Sequence, residues 1–66
     1  MRASINGEEL ELPDGLSVAD LLRRLQASER GVAVAKNDRV VRRSTFESET
    51  VCDGDRIEII KAVAGG

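Results

Sequence analysis

The sequence closes on Ala64-Gly65-Gly66, where the available chemistry belongs to the backbone. A tail with almost no side chain can extend into a narrow channel that a Cβ would block, and its terminal carboxylate is unhindered for attack on the α-phosphate of ATP. On this reading Gly66 is the reacting end, Gly65 and Ala64 thread the channel, and the chain is a substrate of another protein. A frayed terminus is the plain alternative. Cys52, the one cysteine, offers a different sulfur chemistry, a persulfide. Its setting between Val51 and Asp53 suits a packed or semi-buried structural residue better. Asp53 and Asp55 fall short of the ligand number a calcium loop needs and read as turn residues.

Histidine is absent. That removes the usual general acid–base chemistry, Ser–His and Cys–His nucleophiles and the common zinc ligand sets, and one cysteine makes neither an internal disulfide nor an iron–sulfur cluster. The expectation is a non-enzyme with no bound cofactor and no metal. Ten basic and twelve acidic residues leave a formal charge of −2, which gives no field to gather nucleic acid or an anionic membrane. Arg39, Arg42 and Arg43 form the only basic group close in sequence and lack the aromatic partners of an RNA-binding sheet. They read as a solvated face or as a patch that meets an acidic partner. No apolar run approaches the roughly 20 residues of a membrane span, and the start of the chain lacks a signal-peptide pattern, so a cytoplasmic protein is expected.

The elements that would carry such a tail are legible from spacing. A chain of 66 residues makes one small domain, 1–66, with residues 63–66 as its tail. Ala3 and Ile5, then Leu10 and Leu12, sit on two period-two segments around Asn6-Gly7, a type I′ hairpin signal. Glu8, Glu9 and Glu11 read as solvent-side residues that protect an edge strand. Pro13-Asp14-Gly15 turns the chain. Ser17 then caps a helix over about Val18–Ala27, with Asp20 completing a shorter capping box, and Val18, Leu21, Leu22 and Leu25 form one apolar stripe. Ser28-Glu29-Arg30-Gly31 ends it.

Beyond the helix, Val32–Ala35 and Val40-Val41 flank an Asn37-Asp38 turn, and Asp53-Gly54-Asp55 introduces the strongest strand, Arg56–Val63. Ser44–Glu49 reads as irregular, with Phe46 closing one end of the core. One helix covers one face of a sheet, so the economical packing is an α+β, β-grasp arrangement. It has a mixed sheet of four to five strands, a helix across one face and a flexible C-terminal tail. The other face stays partly open for a partner. Ile57 and Ile59 share one strand face and leave Ile60 on the other, so Ile60 and Val63 are candidate partner contacts, with Phe46 a third.

Gly31 to Val41, Arg43-Ser44 and Asp53 to Gly66, together with the Asn6-Gly7 hairpin and the leucine-rich helix, resemble the ThiS family of sulfur carriers of thiamine thiazole biosynthesis. The resemblance implies a ubiquitin-like β-grasp protein whose Gly66 carboxylate is adenylated by an E1-like enzyme of the ThiF type using ATP, then converted to a thiocarboxylate. It also implies a sulfur donor protein, and delivery to a thiazole synthase of the ThiG type. The chain would be a co-substrate of these enzymes. Arg42 stands where the family commonly has proline, and Phe46 where it commonly has tryptophan. The small subunit of molybdopterin synthase shares the fold and the terminal Gly-Gly but is usually longer and often has prolines before the tail, where this chain has Lys61-Ala62-Val63. It remains the nearest alternative, beside a ubiquitin-like protein modifier and a β-grasp interaction module with an idle tail.

Overall fold

Asn6 and Gly7 both take positive φ, 52° and 85°, as a type I′ turn requires. They join β1 (Arg2–Ile5) to β2 (Glu8–Glu11) in the computed structural model, which describes residues 1–27 and 30–61. The same device recurs at Asn37 and Asp38, with φ 51° and 70°, between β3 (Val32–Lys36) and β4 (Arg39–Val41). Both predicted hairpins are present. The last strand, β5, spans Arg56–Lys61; the expected extension through Ala62 and Val63 lies outside the described residues.

The five strands form one sheet in the order β2-β1-β5-β3-β4. β5 runs parallel to β1 and antiparallel to β3, so the sheet is mixed and the two halves of the chain meet in its middle. Directly opposed residues share a face, and the register therefore sorts the side chains. Ala3 faces Leu10, and Val34 faces both Ile59 and Val41; these point toward the helix. Ala33 faces Ile60, and Ala35 faces Val40; these point the other way.

The helix, α1 (Val18–Arg24), begins as its sequence predicts. The Asp20 amide donates to Ser17 Oγ at 3.0 Å, and the Ser17 amide donates to Asp20 Oδ2 at 3.2 Å, a reciprocal capping box. The bond from the Ser17 backbone holds the Asp20 carboxyl below its usual range. The remaining free amides of the first turn are also satisfied. Val18 donates to the Glu49 carbonyl at 2.8 Å and Ala19 to the Phe46 carbonyl at 2.9 Å. The segment after β4, which includes a short 3-10 turn at Arg43–Thr45, is thus tied to the start of the helix.

The end of the helix differs from expectation. It stops at Arg24 rather than near Ala27, with Leu25 as its C-cap. Gln26 adopts a left-handed φ of 58°; its amide donates to the Arg23 carbonyl at 3.0 Å and that of Ala27 to the Leu22 carbonyl at 2.8 Å. This is a Schellman closure, usually built on glycine because a side chain is strained there. Glutamine carries no such sequence signal. With the helix ended, Leu25 leaves the predicted stripe and is 41% exposed. Gly31, expected to reverse the chain, does take a positive φ of 72°, but some way past the helix.

Val18, Leu21 and Leu22 are fully buried and pack with Ala3, Ile5, Val34, Val51, Ile57 and Phe46. Truncating Leu22 removes side-chain volume from the middle of this core, so Leu22→Ala should lower unfolding free energy by about 2–5 kcal/mol in a denaturant titration. Replacing the strained C′ residue acts in the other direction: Gln26→Gly should raise stability by about 0.5–1 kcal/mol in the same measurement. An unchanged or lowered midpoint would show that Gln26 is held by something other than the Schellman geometry.

Candidate functional site

The strand that leads to the predicted reactive tail is held on both sides. β5 lies between β1 and β3, and the two turn asparagines extend both ladders. Asn6 Oδ1 accepts from the Ile59 amide at 2.8 Å, while its Nδ2 donates to the Ile59 carbonyl at 3.2 Å. At the other end, Asn37 Oδ1 accepts from the Arg56 amide at 2.9 Å, and the Asn37 amide donates to the Arg56 carbonyl at 2.8 Å. Asparagine suits both tasks because it tolerates left-handed φ and carries a donor and an acceptor on one planar group. Both residues were legible as turn formers; their second role depends on a strand about 50 residues away for Asn6 and has no local signal.

Around the start of β5 the turn carboxylates serve the backbone. Asp53 Oδ1 accepts from the Arg2 amide at 2.7 Å, and Asp55 Oδ2 from the Cys52 amide at 2.7 Å. Burial pushes the Asp55 carboxyl up, but bonds from Asn37 and Cys52 and the charge of Lys36 outweigh it and hold the carboxyl below its usual range. Lys36 Nζ lies 2.8 Å from Glu49 and 3.6 Å from Asp55, and the bond to Glu49 raises its affinity for its proton despite partial burial. These ties join β3 to the segment entering β5.

Cys52 is free and exposed, correcting the expectation of a packed or semi-buried residue. Val51 takes the buried position, and its neighbour must then point outward. Phe46 is corrected as a partner contact. It is 1% exposed and lies wholly in the core, as its role in closing the core implies, so its ring offers no surface to another protein.

Ile60 is 64% exposed on the face away from α1. Its cross-strand neighbour is Ala33, and one step along β3 Ala35 faces Val40, which is 81% exposed. The face therefore carries an apolar surface in which each large side chain stands beside a small one on the neighbouring strand. Val40 was missed as a surface residue because Val40-Val41 reads as a buried pair; the Asn37-Asp38 turn sets a register that turns Val41 inward and Val40 outward. Gly66, Gly65, Ala64 and Val63 lie outside the described residues, two to five positions beyond Lys61 in sequence.

One helix laid across a mixed five-stranded sheet, with its first and last strands parallel in the centre, defines a ubiquitin-like β-grasp protein. The solved structure of a thiamine biosynthesis protein, ThiS, from Geobacter metallireducens superposes with a TM-score of 0.86 at 32% identity, with all of both chains covered. The model of the ThiS family matches residues 2–66. The sulfur carrier protein ThiS of Escherichia coli is 32% identical over 66 residues, again with full coverage of both chains. The chain belongs to the ThiS family, the sulfur carriers of thiamine biosynthesis. A thiazole synthase from Paramagnetospirillum magneticum is 38% identical over 66 residues, of which this chain spans 20% of the length; that protein joins a ThiS-like segment to a much longer chain.

The Asn6 clamp can be tested directly at the root of the tail. Asn6→Gly keeps the left-handed turn and deletes the side chain, so the Ile59 amide should exchange with solvent about tenfold faster or more while amides of α1 keep their protection. Unchanged exchange at Ile59 would show that the β1 and β3 ladders alone hold the strand.

Proposed function

We propose that the chain is a sulfur carrier whose Gly66 carboxylate is activated, sulfurated and presented to a thiazole-forming enzyme. A carboxylate is a poor electrophile until it bears a good leaving group. Attack of a Gly66 oxygen on the α-phosphorus of ATP, within an E1-like activating enzyme of the ThiF type, releases pyrophosphate and gives an acyl adenylate. Hydrosulfide released by a sulfur donor protein attacks the acyl carbon and displaces AMP, and the resulting thiocarboxylate is a better nucleophile than the carboxylate it replaced. The chain is then a co-substrate: catalytic groups and ATP belong to its partners. The need for ATP favours the cytoplasm as the compartment of this chemistry. No helix among the described residues is long and apolar enough to cross a membrane.

The observation that carries this reading is the extent of the family match, which runs to residue 66 and so includes the Gly65-Gly66 end. The exposure of Ile60 suits a partner contact on the open face, with Val63 a second proposed contact three residues on; thiazole synthase is the proposed acceptor because the Paramagnetospirillum magneticum relative, named for that activity, contains a similar segment.

Incubation with the activating enzyme, ATP and a sulfur donor should raise the intact mass by the replacement of one oxygen with one sulfur. Deleting Gly65 and Gly66 should abolish that change with the fold retained. Gly66→Ala should slow activation by about a hundredfold, through crowding and misplacement of the reacting carboxylate. A wild-type mass that never changes, under conditions that charge the Escherichia coli carrier, would refute the proposal.

A further inference from the structure

The two edges of the sheet carry opposite charge. β2 is one edge, with Glu8, Glu9 and Glu11 exposed. β4 is the other, and Arg39, Arg42 and Arg43 are exposed along it and the 3-10 turn that follows. Arg2, Arg23, Lys36 and Arg56 each have a carboxylate partner. No carboxylate of the described residues lies within ion-pair distance of Arg39, Arg42 or Arg43.

Arg39 and Arg42 line an open groove of about 570 Å³ with Lys36, Val41, Thr45 and Glu49. Lys36 and Glu49 pair at 2.8 Å and largely cancel, which leaves the two guanidinium groups as the net charge of the groove. Thr45 Oγ1 donates to the Arg42 carbonyl at 2.9 Å and is thereby committed to the wall.

Three kinds of anion could answer this charge. A small phosphate-like ligand would want converging backbone amides, yet the nearby amides of Thr45 and Phe46 are used by the Arg42 and Arg43 carbonyls. A nucleic acid would want exposed aromatic rings to stack on, and Phe46, the sole aromatic, is buried. A protein segment with carboxylates and an apolar residue, laid across this edge strand, can reach the arginines and also Val40, which is 81% exposed. The register puts Arg39 with Lys36 on the helix side of β4 and Val40 with Ala35 on the outward side. Arginine favours this occupant, because its planar fork meets a carboxylate through two parallel bonds.

We infer that the β4 end of the sheet is a docking surface for an acidic segment of the thiazole synthase, whose carboxylates meet Arg39 and Arg42 while an apolar side chain covers Val40. This rests on the sulfur-delivery reading above, and it adds a second anchor away from the tail. Thiazole synthase is chosen over the activating enzyme because two relatives of that name carry a segment similar to this chain within a longer one, so the two units work side by side there. Complementary charge between the two units speeds encounter and sets orientation.

The test is titration calorimetry of the full-length carrier with the thiazole synthase of the same organism, at low and at physiological salt. The double variant Arg39→Glu/Arg42→Glu should bind at least about tenfold more weakly and lose most of the salt dependence. Arg39→Lys/Arg42→Lys should keep most of the affinity, and Arg2→Glu, on the far side of the sheet, should bind as wild type. Circular dichroism confirms that each variant is folded. Wild-type affinity in the double reversal overturns the inference and leaves sulfur delivery standing. Failure of the wild-type chain to bind the synthase refutes both. Tighter binding to a single-stranded oligonucleotide than to the synthase, lost in the same double variant, overturns it in favour of nucleic acid.

Discussion

The architecture depends on β5 being held in the centre of the sheet by strands from both halves of the chain. Its pairing with β1 is parallel and spans most of the sequence, so it cannot form until the chain has closed a long loop, and it is short, with only Ser4 and Ile5 in register with Arg56 and Ile57. Two ladder pairs would leave much of the β5 backbone unanswered on that side. Asn6 supplies the missing partner by bonding both polar groups of Ile59 with one amide, and Asn37 completes the opposite side at Arg56. Each asparagine thus closes a hairpin and extends the central ladder at once. The strand that leads to the end of the chain gains a rigid root from this arrangement, since a strand whose polar groups are paired on both sides opens only at considerable cost.

The division of the two sheet faces follows from having one short helix. Seven residues of α1 cover the inward face of the strands, and the Phe46–Val51 segment fills the flank, bonded to the helix start through Val18 and Ala19. Nothing remains in the described residues to cover the outward face. Its apolar content is kept low by the small Ala33 and Ala35 beside Ile60 and Val40, while charged Glu58 and Arg56 interrupt it along β5. Such a surface is small enough to tolerate water and apolar enough to gain from being covered. The acidic β2 edge guards against strand addition on one side, so an approaching protein meets least resistance across the outward face and the cationic β4 edge.

Local chemistry made part of this legible. Type I′ turns need left-handed residues, and Asn6-Gly7 and Asn37-Asp38 supply them; the helix start needs a cap, and Ser17 with Asp20 provides it. Features decided by distant partners were hidden. The strand order cannot be read from hydrophobic spacing, because that spacing fixes which face a residue takes and not which strand lies beside it. The early helix end at Gln26 was obscured because glutamine is a good helix former and an unusual left-handed residue. Leu25 then lost its burial as a consequence. Val40 and Cys52 share one cause: each stands beside a buried valine, Val41 or Val51, and a neighbour in extended chain points the opposite way.

The same allocation of polar groups explains why reactivity would be confined to the end of the chain. The free amides at the start of α1 are all engaged, by Ser17, Phe46 and Glu49, so the helix offers no anion cradle. Asp53 and Asp55 accept backbone bonds, and Lys36 is shared between Glu49 and Asp55. A group already satisfied in this way is poorly available to a substrate or ligand, because any new partner must first displace the old one. Exposed Cys52 has no neighbouring histidine to activate it, since the chain has none. What the described fold does contribute is orientation: a clamped β5, an open apolar face and a charged edge. Under the proposed function this separation would let the acyl group pass between enzymes of different chemistry while the surface presented to them stays unchanged.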